Sequence, residues 1–238
     1  MPFLPDFHDI MDDIINNLPD PNGGATNNDT GTDTGDISSN RDNPDFGQNS
    51  GVDTSHGIDL TIDTDVQTFT AAGPINNVTV IDGASIDALT LNGKDNTLFG
   101  SDAGFINTLF AGDGDDTVIL GDAGAGQVNL GAGDDTITTD GAVGQIFAGT
   151  GDDALFIDVR EGADAIAFDG GDGRDTVNIT AEELADLDLL AFMEDMQEMR
   201  DTGTATLDDF GLTLTDVEVI NLIVDGQSYQ IFDIDNFA

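Results

Sequence analysis

The chain has 238 residues, of which 48 are acidic and 5 basic, giving a net charge of −43 at pH 7. That charge excludes nucleic acid and anionic membrane surfaces as partners. It also opposes compaction by self-repulsion, so a folded form requires cations or high ionic strength. Cysteine is absent, which removes disulfides and thiolate metal sites, and no apolar run reaches the roughly 18 residues of a membrane-spanning helix.

In residues 1–19, Phe7, Ile10, Met11, Ile14, Ile15 and Leu18 recur at helical spacing and predict a short amphipathic helix. Its other face carries Asp6, Asp9, Asp12 and Asp13, which disfavours anionic lipid. The helix is read either as a cap on the strand-rich region or as a segment that docks on protein. No basic stretch followed by an apolar one marks a cleaved signal peptide, so the chain is expected to stay in the cytosol or to leave by a signal elsewhere. Residues 20–57 are rich in Asn, Asp, Thr, Gly and Ser with hardly an aliphatic side chain, and predict a disordered linker. His8 and His56, in these two segments, are read as incidental rather than as ligands.

From residue 58 to residue 180 the pattern is that of a β-solenoid. The segments IDLTI, VQTFTA, INNVTVI, IDALTL, NTLFG and INTLF favour strands and recur about every ten residues. Residues 111–178 then repeat one unit four times: AGDGDDTVI from Ala111, LGAGDDTIT from Leu130, AGTGDDALF from Ala148 and GGDGRDTVN from Gly170. The last aspartates of the four turns, Asp116, Asp135, Asp153 and Asp175, lie 19, 18 and 22 residues apart, the period of a coil whose turns stack. Val118, Ile137, Leu155 and Val177 predict one inward ladder, extended by Leu120, Ile157 and Ile179, and Leu109, Val128, Ile146 and Phe168 predict a second. Gly112, Gly114, Gly131, Gly133, Gly149, Gly151, Gly171 and Gly173 fall where the chain turns sharply and φ is expected to be positive. The fold class is therefore all-β, a parallel β-roll or β-solenoid with short capping helices at the N-terminus and near residues 181–200.

Stacking brings the four aspartates into a column at about 4.8 Å per turn, where like charges repel unless a cation lies between them. Carboxylates beside bare backbone carbonyls suit calcium better than zinc or copper. LNGKDNTLF, ending at Phe99, aligns with LGAGDDTIT but has Lys94 for the second glycine and Asn96 for the aspartate, so Lys94 is expected to neutralise that end of the column.

The repeat resembles the nonapeptide GGxGxDxUx of the RTX (repeats-in-toxin) family, which implies a calcium-bound parallel β-roll. Carried over residue by residue, the resemblance implies metal-site positions at Gly112, Asp113, Gly114 and Asp116, at Gly131, Gly133 and Asp135, at Gly149, Gly151 and Asp153, and at Gly171, Asp172, Gly173 and Asp175. Only the fourth loop keeps the leading pair, Gly170 and Gly171. The family usually carries the nonapeptide on both edges, whereas the alternate half-turns here read GDAGAGQ, TDGAVGQ and REGADA. Calcium is accordingly expected along one edge, in at most three gaps.

Beyond Thr180, Thr180 with Glu183 forms a capping box, Glu182 and Asp186 favour a first helical turn, Arg200 the last, and Gly203 closes the helix. Leu189, Phe192, Met193, Met196 and Met199 form its apolar face, expected to cover the exposed end of the solenoid core. The closing stretch GLTLTDVEVINLIVDGQSYQIFDIDNFA returns to strands and resembles the C-terminal segments of RTX proteins exported by type I systems, making 181–238 a cap and a candidate secretion signal.

Together these readings give an expectation of a secreted, extracellular calcium-binding solenoid without enzymatic activity, folded by calcium outside the cell. Its role is structural, matrix- or adhesion-associated, with calcium ions and an extracellular matrix, surface or protein as partners. Two other readings have some support in the residues. A polysaccharide-modifying enzyme on a β-helix scaffold needs acid, base and cationic groups, and the chain offers Lys94, four arginines, two histidines and Tyr229, with neither HExxH nor Gly-x-Ser-x-Gly. An ice- or crystal-binding face is suggested by Thr117, Thr136 and Thr176 but is broken by Ala154.

Overall fold

The computed structural model describes residues 35–36, 58–62, 65–70, 75–80, 83–91, 95–100, 104–121, 124–139, 143–158, 165–181, 189–224 and 226–237. The expected N-terminal helix, the linker apart from two residues, His8, His56, Lys94, Glu182, Glu183 and Asp186 lie outside the described residues, as does most of each alternate half-turn connection.

Two sheets form the body of the chain. One has the order β1 (Gly35–Asp36), β2 (Ile58–Ile62), β4 (Ile75–Val80), β6 (Thr97–Gly100), β8 (Thr117–Gly121), β10 (Thr136–Thr139), β12 (Ala154–Asp158), β14 (Thr176–Thr180), β17 (Val219–Val224) and β18 (Gln227–Asp233). The other has the order β3 (Val66–Thr70), β5 (Ser85–Thr90), β7 (Phe105–Asp113), β9 (Gly124–Ala132), β11 (Val143–Thr150), β13 (Ile166–Asp172), β16 (Leu212–Thr215) and β15 (Thr204–Leu207). From β2 to β14 the chain alternates between sheets, so each circuit adds one parallel strand to each, and the result is a parallel β-solenoid. Among the described strands only the closing pairs, β17 with β18 and β15 with β16, are antiparallel.

Alternation along each strand makes the core. Leu98, Val118, Ile137, Leu155, Val177 and Ile220 stand in one register row. Leu89, Leu109, Val128, Ile146, Phe168 and Leu214 stand in the other. All twelve are at most 1% exposed, and both ladders expected from the sequence are found. Burial of each such side chain contributes about 1.5–3 kcal/mol, distributed along the axis rather than concentrated at one centre. The longer interval before Asp175 does not disturb the register, because Ala154 still pairs with Thr176; the extra residues fall between β12 and β13.

After β14, helix α1 (Leu189–Thr202) packs on β15, and Gly203, at φ 76°, closes it with its N–H donating to the Met199 carbonyl at 2.8 Å. Phe192, Met196 and Met199 are buried in the core cluster, and the Phe192 ring meets Phe210 edge-on at 6.0 Å. Met193 departs from the expected apolar face: it is 62% exposed, one residue round the helix from Phe192 and off the i, i+4, i+7 stripe that the cap uses. No described helix is long and apolar enough to cross a membrane.

Candidate metal centre

The four Gly-x-Gly-x-Asp turns join β7 to β8, β9 to β10, β11 to β12 and β13 to β14. Gly112, Gly131, Gly149 and Gly171 stand in register, and all eight turn glycines have positive φ. Stacking adds a second requirement that the sequence did not reveal. At Gly131 (φ 126°) and Gly133 (φ 136°) a Cβ would collide with the carbonyl oxygens of Gly112 and Gly114 in the turn above. Turn is bonded to turn by backbone: Gly114 N–H donates to the Ala132 carbonyl at 2.7 Å, Gly133 to Thr150 at 2.8 Å and Gly151 to Asp172 at 2.9 Å.

This packing carries the repeat aspartates inward. Asp116, Asp135, Asp153 and Asp175 are at most 1% exposed. Each uses Oδ1 to accept a backbone N–H from the turn before it: Asn96 to Asp116 at 2.6 Å, Asp116 to Asp135 at 2.7 Å, Asp135 to Asp153 at 2.7 Å and Asp153 to Asp175 at 2.9 Å. The Oδ2 atom of every one of them is buried without a hydrogen-bond partner. Burial raises all four carboxyls above the ordinary carboxylate range, and the backbone N–H bonds only partly offset it; Asp135 and Asp175 are pushed up to about 7.

Asn96, at the start of the row, shows what the gaps lack. Its Nδ2 donates to Asp116 Oδ1 at 2.8 Å and to the Ala111 carbonyl at 3.4 Å, so a neutral amide bridges carboxylate and carbonyl. Lys94 was expected to neutralise this end, but it lies outside the described residues, and the bridging group found there is the Asn96 amide. By register Leu130, Ala148 and Gly170 repeat the place of Ala111, and aspartates repeat the place of Asn96. From the second turn onward the bridging donor is thus replaced by an acceptor, and acceptor faces acceptor.

Asp113 and Asp172 are exposed at the lip of the turns, in a register row with Ala132 and Thr150, and so stand apart from the buried column. A second carboxylate row was missed by sequence reasoning. Asp95, Asp115, Asp134 and Asp152 are exposed, and each accepts the N–H of its counterpart in the next turn at 2.9–3.1 Å, the last from Arg174. Its signal was the doublet Asp-Asp in three of the repeats. Arg174 ends that row and turns outward to Asp233 at 3.0 Å and Asp235 at 2.5 Å; its bond to Asp233 is the main influence holding that carboxyl below its ordinary value. Thr117, Thr136 and Thr176 form a half-buried row with Thr97, interrupted by Ala154.

Among the described residues no three His, Cys, Asp or Glu side chains converge on one point. A cation between two turns would therefore draw on the buried aspartates and complete its shell with backbone carbonyls and water. That donor set, all oxygen and partly main chain, fits calcium; it offers nothing to thiolate- or imidazole-seeking metals. No protein-family model, no curated protein and no solved structure matches this chain.

Proposed function

We propose that this chain is a calcium-binding β-solenoid of the RTX type, secreted and folded by calcium outside the cell, with a structural, matrix- or adhesion-associated role rather than a catalytic one. The observation that carries this reading is the contrast between Asn96, whose Nδ2 donates to the next turn while its own Oδ1 has no partner, and Asp116, Asp135, Asp153 and Asp175, which have no such donor and keep a buried carboxylate oxygen without a partner. A buried carboxylate oxygen with no donor is costly, and either a proton or a cation removes the cost. Extracellular calcium modules bind at about 10⁻⁴ to 10⁻³ M, so the sites fill outside a cell and stay empty inside one. A non-catalytic role is supported by the commitment of Arg174 and Arg200 to Asp233, Asp235 and Asp201. The threonine row does not favour a crystal-binding reading, because Ala154 interrupts it between Thr136 and Thr176.

The test is a calcium titration of chelated full-length protein, followed by circular dichroism and thermal melting. The expected result is a cooperative gain of β-signal and of melting temperature at millimolar calcium, with magnesium much less effective because it demands tighter octahedral geometry. Identical spectra and melting curves with and without calcium would overturn the proposal.

A further inference from the structure

The carboxylate row does not end with the fourth repeat. Asp169 pairs with Thr215 and Thr176 with Val219, so Asp216 comes beside Gly170 and Glu218 beside Asp175. Glu218 takes the part that an aspartate plays in the earlier turns: it accepts the Asp175 N–H at 2.7 Å, as Asp175 accepts that of Asp153. In the repeats four residues lie between Ala111 and Asp116, whereas Val217 alone lies between Asp216 and Glu218. The loop is cut short, and the longer side chain of glutamate spans the difference.

The space at this junction differs from that in the turns above. Ala111, Leu130 and Ala148 carry a Cβ where this turn has Gly170. A Cβ on Gly170 would lie against the Asp216 carbonyl oxygen and 2.5 Å from Asp175 Oδ2, the buried oxygen that has no partner. Asp175 Oδ2 and the Asp216 carbonyl thus approach one point, with the Glu218 carboxylate alongside through its bond to Asp175. Arg174, next in sequence, points away to Asp233 and Asp235.

We infer that this junction is a further calcium site, formed by Asp175, Glu218 and the Asp216 carbonyl, at which the ion ties the last repeat to β17. The inference rests on the calcium reading of the repeats but adds Asp216 and Glu218, which lie outside them. Two carboxylates and a main-chain carbonyl match the ion in charge and in ligand type, and the absence of a Cβ at Gly170 lets Asp175 and the Asp216 carbonyl come this close together.

The full-length chain decides the matter by its ion count, taken from equilibrium dialysis and calorimetric titration with calcium chloride. Three gaps between repeats give three ions, and the native chain is expected to bind four. Glu218→Gln keeps an oxygen to accept the Asp175 N–H but removes the charge. That variant is expected to lose one ion per chain while retaining the native circular dichroism in saturating calcium. If it fails to fold, the native chain's own count decides instead: four ions support the site, and three overturn it. An undiminished count in the folded Glu218→Gln chain, or three ions in the native chain, overturns this site and leaves the calcium reading of the repeats standing. A native chain that binds no calcium overturns both.

Discussion

Asn96→Asp converts the one bridged step of the row into a copy of the others. The native amide donates to Asp116 Oδ1 at 2.8 Å and to the Ala111 carbonyl at 3.4 Å. The substitution removes both bonds, of which the one to a carboxylate is worth about 1.5–3 kcal/mol. It also sets two carboxylates with charge centres roughly 4 Å apart, a repulsion of about 4 kcal/mol at an effective dielectric near 20. Proton uptake by one member of the pair limits the sum, leaving about 3 kcal/mol of destabilisation near neutral pH. Calcium should reverse this, because the substitution sets an aspartate beside Asp116 where each native gap has two, and one ion at 100 times its dissociation constant adds about 2.7 kcal/mol. Spread over four ions, about 3 kcal/mol corresponds to a roughly threefold rise in the calcium concentration at which the chain folds. Circular dichroism during the titration reads that midpoint, and equilibrium dialysis reads one additional ion per chain. A variant with the native midpoint and the native ion count, or one more folded than the native chain in chelator, refutes the reasoning.

The opposite exchange, Asp135→Asn, supplies an amide in the middle of the row; it should lower the ion count and leave the chelated chain more folded than native, both read as above. Gly131→Ala meets a positive φ and the Gly112 carbonyl together, so a loss of several kcal/mol is expected in calcium-saturated melts. Met199→Ala, at a site 1% exposed, should cost about 2–5 kcal/mol, and Met193→Ala, at 62%, less than about 0.5 kcal/mol; equal shifts in melting temperature would contradict the placement of α1. In chelator, acid should favour the fold. Asp135 and Asp175 are raised from 3.8 to about 7, so their contribution is full below the lower value and lost as pH rises through the higher. Circular dichroism should show structure gained between about pH 8 and pH 5, and structure lost over that interval would refute it.

The ladders were legible because two periods coincide in the sequence: alternation along each strand fixes Val118, Ile137, Leu155 and Val177 as inward residues, and the interval near 20 puts them in one row. The aspartate column was legible for the same reason, but the cause of its burial was not. Nothing in Gly-x-Gly-x-Asp announces that Oδ1 of each aspartate is claimed by the backbone of the turn before it, since that bond spans 18 to 22 residues. Asn96 read as a missing aspartate; the structure makes it a bridging donor, a distinction of orientation that a sequence does not carry. Glu218 was hidden more thoroughly. The detour through α1 breaks the period, and the shortened Asp216-Val217-Glu218 turn matches no repeat, so only strand register identifies it. The glycines were read as turn formers, and half of their reason, the carbonyl of the adjacent turn, lies in the stacking.

A net charge of −43 does not by itself call for bound ions. Exposed carboxylates such as Asp115, Asp134 and Asp152 are within reach of the ionic atmosphere, whose screening length is about 8 Å at physiological salt. Asp116, Asp135, Asp153 and Asp175 are not, because at most 1% of each is exposed and no diffuse cation approaches their Oδ2 atoms. Simple salt therefore relieves the outer row and leaves the inner one uncompensated, so its neutralisation has to come from inside the stack, by a proton or by a cation held there. Each inner carboxylate already bridges two turns through Oδ1. An ion bound at Oδ2 ties the same aspartate to the turn after it, and it has no complete set of ligands until both of those turns are in place. In the proposed reading, occupancy and the addition of turns are then one equilibrium, and the cooperativity of folding follows from the register of the strands.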